Sequence, residues 1–214
     1  MALSRKVEVY SHKRLIGTSE LEVTDEGMGI LFGSFVPTQD YSDIRETIWK
    51  FHNSEIEENL LSLKNLRLNA QLDCGCFLYP LGGFLIFDME DLPEKEIQFE
   101  AAGVFRHVVN DCFLSSPPRL KLSSLWETIT IEQKLSFEDE LFKELSPEHA
   151  LVDYDCSAVA TSAHNDNVLF AIHKPGDDAF DYAIVHLTWS SKQESNAAYP
   201  RVKFFKEIEE IEVV

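Results

Sequence analysis

Two adjacent prolines, Pro117 and Pro118, preceded by Ser115 and Ser116, constrain this chain more than any other feature. Proline fixes φ and lacks a backbone N–H, so no helix or interior strand runs through such a pair. Leu114 to Arg119 therefore reads as a linker. With 214 residues, 44% of them hydrophobic, the chain has material for a core on either side of it. The expected fold is α+β, with two domains that are each a small antiparallel sheet packed with helices. The domains are placed at residues 1–113 and 123–214, with a linker over 114–122.

The pattern before the linker is mainly strand. VEVYS (7–11), LIGTSELEV (15–23) and GILFGSFV (29–36) are alternating or β-branched runs divided by turn residues, most clearly Thr24-Asp25-Glu26-Gly27. Gly27 is expected to supply a positive φ there. Pro37 ends the third run, and one main helix is expected from Gln39 to Phe51 with Thr38 as N-cap. Ile44, Ile48 and Phe51 form its apolar stripe. LRLNAQL, GFLIF and EIQFE read as three further strands, and Val104 to Cys112 as a short amphipathic helix.

After the linker, a helical region is expected from Trp126 to Leu145, with Ser136-Phe137-Glu138-Asp139 as a capping box. A second helix is expected from Pro147 through Thr161. NVLFAIH, DYAIVHLTW and RVKFF then form a three-stranded antiparallel sheet, the first two joined by a turn at Lys174-Pro175-Gly176-Asp177-Asp178.

Charge narrows the partners. The chain carries 37 acidic against 19 basic side chains, a net charge of -18. Nucleic-acid binding needs clustered Lys and Arg to replace the counterions of phosphates. Here the basic pairs are Arg5-Lys6 and Lys13-Arg14 alone, so neither nucleic acid nor a membrane surface is expected as partner. An acidic surface suits a protein partner with a basic surface, whose encounter it accelerates; acidity also serves solubility alone. MALSRKVEVY lacks the apolar core of a secretory signal, no apolar run reaches about 18 residues, and Cys74, Cys76, Cys112 and Cys156 are too few for a disulfide framework. A cytoplasmic location is expected.

Chemical motifs are sparse. Cys74-Gly75-Cys76 has soft-metal spacing but no second cysteine pair or nearby histidine to complete a zinc set, so no metal site is expected. His107 and Asp111, four apart on a helix, read as a surface pair. Gly27-Met28-Gly29 and Gly82-Gly83 match no phosphate-binding pattern, and no G-x-S-x-G is present. Neither a cofactor nor a catalytic residue is assigned. The densest constellation is His186-Leu187-Thr188-Trp189-Ser190-Ser191-Lys192-Gln193-Glu194. On a strand His186 and Thr188 share one face while Leu187 and Trp189 share the other, with Lys192 and Glu194 just beyond. His186, Thr188, Trp189, Lys192 and Glu194 are therefore the candidate partner- or ligand-binding residues. His164 and His173 flank the neighbouring strand.

Two stretches carry a resemblance. Leu21-Glu22, Asp25-Glu26-Gly27-Met28-Gly29, Gly33-Ser34-Phe35-Val36-Pro37 and Tyr41 resemble one group of small uncharacterised bacterial cytosolic proteins. Tyr182, Ala183, Val185, His186, Leu187, Thr188, Trp189, Ser190, Lys192, Glu194, Pro200, Phe204 and Phe205 resemble a second. The resemblance implies a bacterial cytosolic protein of two parts and brings no reaction with it. Together these readings make the chain a non-catalytic acidic protein-binding protein, of the kind represented by immunity or antitoxin-like inhibitors of a basic partner. Two alternatives stand beside it: a small hydrolase or ligand-binding enzyme with a pocket around His186, and a structural subunit of a larger assembly.

Overall fold

A computed structural model describes residues 4–53, 56–91, 96–117 and 122–213, with the side chains of 56–59 and 212–213 left aside. It is α+β, built on two antiparallel sheets of seven and five strands. The chain divides into two compact units, Met1–Leu120 and Lys121–Val214. Part of the expected linker, residues 118–121, lies outside the described residues.

The first unit holds the strands β1 (Arg5–Ser11), β2 (Arg14–Asp25), β3 (Ile30–Pro37), β4 (Leu68–Leu72), β5 (Phe77–Leu78), β6 (Gly83–Phe87) and β7 (Gln98–Ala102). They lie in the order β5-β4-β1-β2-β3-β7-β6. Alternation sets the two faces: Val7, Val9 and Ser11 are buried, while Lys6, Glu8 and Tyr10 are not. Leu21, Leu31, Phe35, Ile86 and Phe99 join Val7 and Val9 in the core. The turn between β2 and β3 is fixed at Gly29 rather than Gly27: Gly29 has φ +63°, and a Cβ there would lie 2.2 Å from the Val104 carbonyl oxygen.

Helix α1 (Ser42–Asn53) follows a 3-10 turn at Gln39–Tyr41, close to expectation, and buries Ile48. A second helix, α2 (Ile56–Asn65), was not foreseen from the sequence, nor was β5, which is only two residues long. A short helix α3 (Arg106–Val108) runs into a π-helical turn at Val109–Leu114 that buries Val109, Cys112 and Phe113.

Asp88 anchors α1 to the strand before it. Its carboxylate is 4% exposed and accepts from Tyr41 Oη (2.9 Å) and from Arg45 Nε (2.7 Å). Burial works to raise the Asp88 pKa, but the hydrogen bonds led by Arg45 outweigh it and hold the carboxyl below its ordinary value. A depressed carboxyl contributes stability above its unfolded pKa and loses it as pH falls through the folded one. Arg45→Ala is therefore expected to destabilise most near neutral pH. The gap to the parent protein should narrow as pH falls into the carboxylate range. Urea unfolding at several pH values checks this; a gap that does not change with pH would assign the loss to packing alone.

The second unit opens with β8 (Trp126–Thr128), continues through α4 (Ile131–Glu144), and completes its sheet with β9 (Asp155–Ser162), β10 (Asn167–His173), β11 (Tyr182–His186) and β12 (Arg201–Phe205). The order β12-β11-β10-β9-β8 makes five strands where three were expected. Residues expected to begin the helix, Trp126 to Thr128, instead pair with Ser162 to Ala160. The helix starts at Ile131 with Thr130 as N-cap: Gln133 N–H donates to Thr130 Oγ1, and Thr130 N–H donates to Gln133 Oε1. Ser136, expected as the cap, is an exposed residue inside α4.

The second helix expected over 147–161 is absent. Turns fill 147–154, and Asp155–Ser162 is a strand paired on both sides. Those two ladders decide a segment whose small residues fit either state. Ordered turn contacts include buried His149, whose Nδ1 accepts from Leu151 N–H (3.1 Å) and whose Nε2 meets the Pro200 carbonyl (2.9 Å).

Helix α4 lies against β9 through a buried ammonium. Lys134 is 1% exposed, and its Nζ donates to Glu138 Oε1 (2.7 Å), Ser157 Oγ (2.6 Å) and the Ala158 carbonyl (3.1 Å). All three ammonium donors are satisfied. Glu138 Oε1 also accepts from Ala158 N–H at 3.1 Å, so helix and strand share one carboxylate.

Candidate functional site

The five residues singled out in the sequence do not form one constellation. Strand β11 ends at His186, so the alternation that put Thr188 on the same face stops before it matters. Trp189 and Ser191 both take the left-handed conformation, each with φ 54°. Such values are costly for a bulky side chain and persist only where surrounding contacts impose them.

Those contacts come from α4. Glu144, 0% exposed, accepts Thr188 N–H at Oε2 (3.0 Å) and Ser190 N–H at Oε1 (3.4 Å). One turn earlier, Glu140 Oε1 accepts Ser191 N–H at 2.6 Å, and its Oε2 accepts the Ser191 hydroxyl at 3.4 Å. Successive backbone N–H groups near left-handed residues form a concave cradle for an anion, and here the anions are the protein's own carboxylates. Trp189 is 44% exposed and meets Phe137 edge-on at 5.9 Å, so it rims the helix instead of filling the core. Thr188 Oγ1 donates to Glu194 Oε1, and the Lys192 carbonyl accepts the Ser190 hydroxyl. Hydrogen bonds from Thr188 and then Ser190 lower the Glu194 pKa. Thr188, Trp189, Lys192 and Glu194 thus belong to a loop clasped by α4.

His186 stands apart from them. It is exposed, its Nδ1 lies 3.0 Å from Asn167 Oδ1, and it lines a groove of about 450 Å³. None of the four loop residues lines that groove. His164 shares it, whereas His173 sits at the other end of β10, opposite Asp155. Sequence reading missed the rest of the lining, which includes Trp126, Asn167, Arg201 and Lys203. It also missed Glu140 and Glu144, which read only as helix positions.

The thiols are nearer to one another than their sequence positions suggest. Hydrogen bonding to Cys112 and then burial push the Cys74 thiol up. Cys112 is drawn down by Cys74, but its contact with Cys76 and burial outweigh that and raise it. Raised thiols are poor nucleophiles. Burial first, then Asp155 and Glu138, push Cys156 up to about 12. The Tyr79 hydroxyl lies 3.1 Å from His107 Nε2, and Asp111 is buried. Among the described residues no group of three or more His, Cys, Asp or Glu is arranged to hold a metal. No helix among them is long and apolar enough to cross a membrane.

Compared with known proteins, the chain matches no family model, no curated protein and no solved structure.

Proposed function

We propose that this chain is a non-catalytic binding protein whose seven-stranded sheet receives a protein partner with a basic surface, as an inhibitor of the immunity or antitoxin kind does. The supporting observation is the exposed middle of one face of that sheet. Register places Lys6 opposite Glu20, Glu22 opposite Phe32, Phe32 opposite Glu100, and Glu100 opposite Leu85. These residues share one face, and none of them is buried.

The chemistry of that face is specific. Glu8, Glu20, Glu22 and Glu100 contribute carboxylates against a single cation, Lys6. Between them Phe32 and Phe87 pack at 6.0 Å, with Leu85 beside them and Val36 63% exposed on the same face. An apolar centre with an acidic surround fits a partner that brings Lys or Arg around an apolar patch.

Charge reversal tests this. The parent protein, a Glu20→Lys/Glu22→Lys/Glu100→Lys variant and a control Glu148→Lys/Glu207→Lys/Glu209→Lys variant would be used as bait for proteins of a bacterial extract. The control carries the same change of charge in the second unit. The expected result is a basic protein held by parent and control, and bound about tenfold or more weakly by the sheet variant at low salt. Equal retention by all three baits would remove this reading.

A further inference from the structure

We infer that the groove at one end of the second unit's sheet binds a small phosphate-bearing molecule with a planar ring, of mononucleotide size. This rests on residues separate from the acidic face of the first unit, and either reading stands or falls without the other.

The five strands build the groove together. Arg201 on β12 is directly opposite His186 on β11, and His186 is opposite Asn167 on β10. Lys203 is opposite Ile184, and Trp126 on β8 is opposite Ser162 on β9. Paired residues project from the same face, so one surface carries a guanidinium, an ammonium, an imidazole, an amide and an indole in sequence across the sheet. His164 and Asn165, in the turn after β9, close one side.

The charge of this surface runs against that of the chain. The protein carries -18, yet among the described residues no carboxylate lines the groove. Asp166, the acidic residue beside Asn165 and Asn167, is not part of the lining. Arg14, Arg45, Lys50, Lys134, Lys143, Lys174 and Lys206 are all ion-paired. Arg201 and Lys203 have no carboxylate in ion-pair distance among the described residues. They rest instead on aromatic rings, with Arg201 5.5 Å from the Tyr199 centroid and Lys203 5.1 Å from that of Phe205. Two unneutralised cations, two residues apart on one strand face, are placed to grip one polyvalent anion.

The remaining lining selects what the anion is attached to. Trp126 and Leu125 make an apolar wall against which a planar ring stacks. The Asn165 oxygen accepts Asn167 N–H (2.9 Å) and the Asn167 oxygen meets His186 Nδ1 (3.0 Å), which orients both amides and leaves their NH2 groups as donors toward the edge of a heterocycle. A volume of about 450 Å³ holds a molecule of this size and falls in the usual range of roughly 300–1,000 Å³ for small-molecule sites.

Titration of the full chain with adenosine 5′-monophosphate, with adenosine and with inorganic phosphate tests the inference. Saturable binding of the nucleotide, tighter than either fragment, is the expected result. Arg201→Ala/Lys203→Ala should weaken it about tenfold or more, and Trp126→Ala should abolish the advantage of nucleotide over phosphate. Lys13→Ala/Lys64→Ala removes the same charge from exposed positions of the first unit and should leave binding unchanged. Circular dichroism would confirm that each variant is folded. Absence of saturable nucleotide binding, or equal loss in the groove and control variants, would overturn the inference.

Discussion

Lys134→Ala is expected to cost about 3–5 kcal/mol of unfolding free energy, the loss associated with breaking a buried ion pair from one side. In the parent protein the ammonium is 1% exposed and has acceptors on both helix and strand. Removing it takes the ammonium from Glu138, which keeps the Ala158 N–H, and withdraws a donor from Ser157 and the Ala158 carbonyl. It also leaves a cavity where the four-carbon stem packed. A loss of this size is a large part of the roughly 5–15 kcal/mol that stabilises a domain. The companion variant Lys134→Met/Glu138→Leu removes both charges while keeping volume, and should recover much of the loss. Urea unfolding of the three proteins decides the matter. A Lys134→Ala protein within about 0.5 kcal/mol of the parent would show that the network contributes nothing net.

Glu144→Ala is expected to cost about 3 kcal/mol, because two backbone N–H groups lose a charged acceptor and a fully buried side chain is truncated. Its effect on the loop should exceed its effect on the helix. Without the carboxylate, nothing else among the described contacts accepts from Thr188 N–H or Ser190 N–H, and the left-handed Trp189 has less to hold it. Glu144→Gln keeps one carbonyl acceptor and should lose about half as much. Fluorescence of Trp189, read in a background with Trp49 and Trp126 replaced by Phe, separates loop release from global unfolding. Unchanged Trp189 emission in a folded Glu144→Ala protein would refute the clasp.

The first unit was legible where one strand face meets the core and the other meets water. VEVYS reads directly as Val7 and Val9 inward, because a period of two has one solution when a single face is buried. The helix over residues 42–53 was equally plain from Ile44 and Ile48. Legibility failed where tertiary pairing overrules local preference. Trp126 to Thr128 reads as the start of one helix, and Asp155 to Thr161 as the end of a second, until the two segments pair with each other. Neither segment carries a proline or a strong alternation that would have excluded a helix.

The candidate site followed the same rule. His186 was found because it lies beside Thr188 and Trp189 in sequence, yet those neighbours turn away onto α4 at the residue where the strand ends. The residues that do face His186 come from the other four strands of its sheet, and register alone brings them together. A motif search along the chain reads neighbours in sequence, and this groove is assembled from neighbours across strands.

The two carboxylates that hold residues 188–191 have a dynamic consequence. The loop's own side chains are exposed at Thr188, Trp189 and Ser191, which would ordinarily mark amides open to rapid exchange with solvent. Here the Thr188, Ser190 and Ser191 amides are bonded to two buried carboxylates on the last turns of α4, so releasing them moves a packed side chain or the helix that carries it. Loop and helix terminus therefore open as one cooperative unit, and the slowest-exchanging amides of an exposed loop report the stability of a helix distant in sequence.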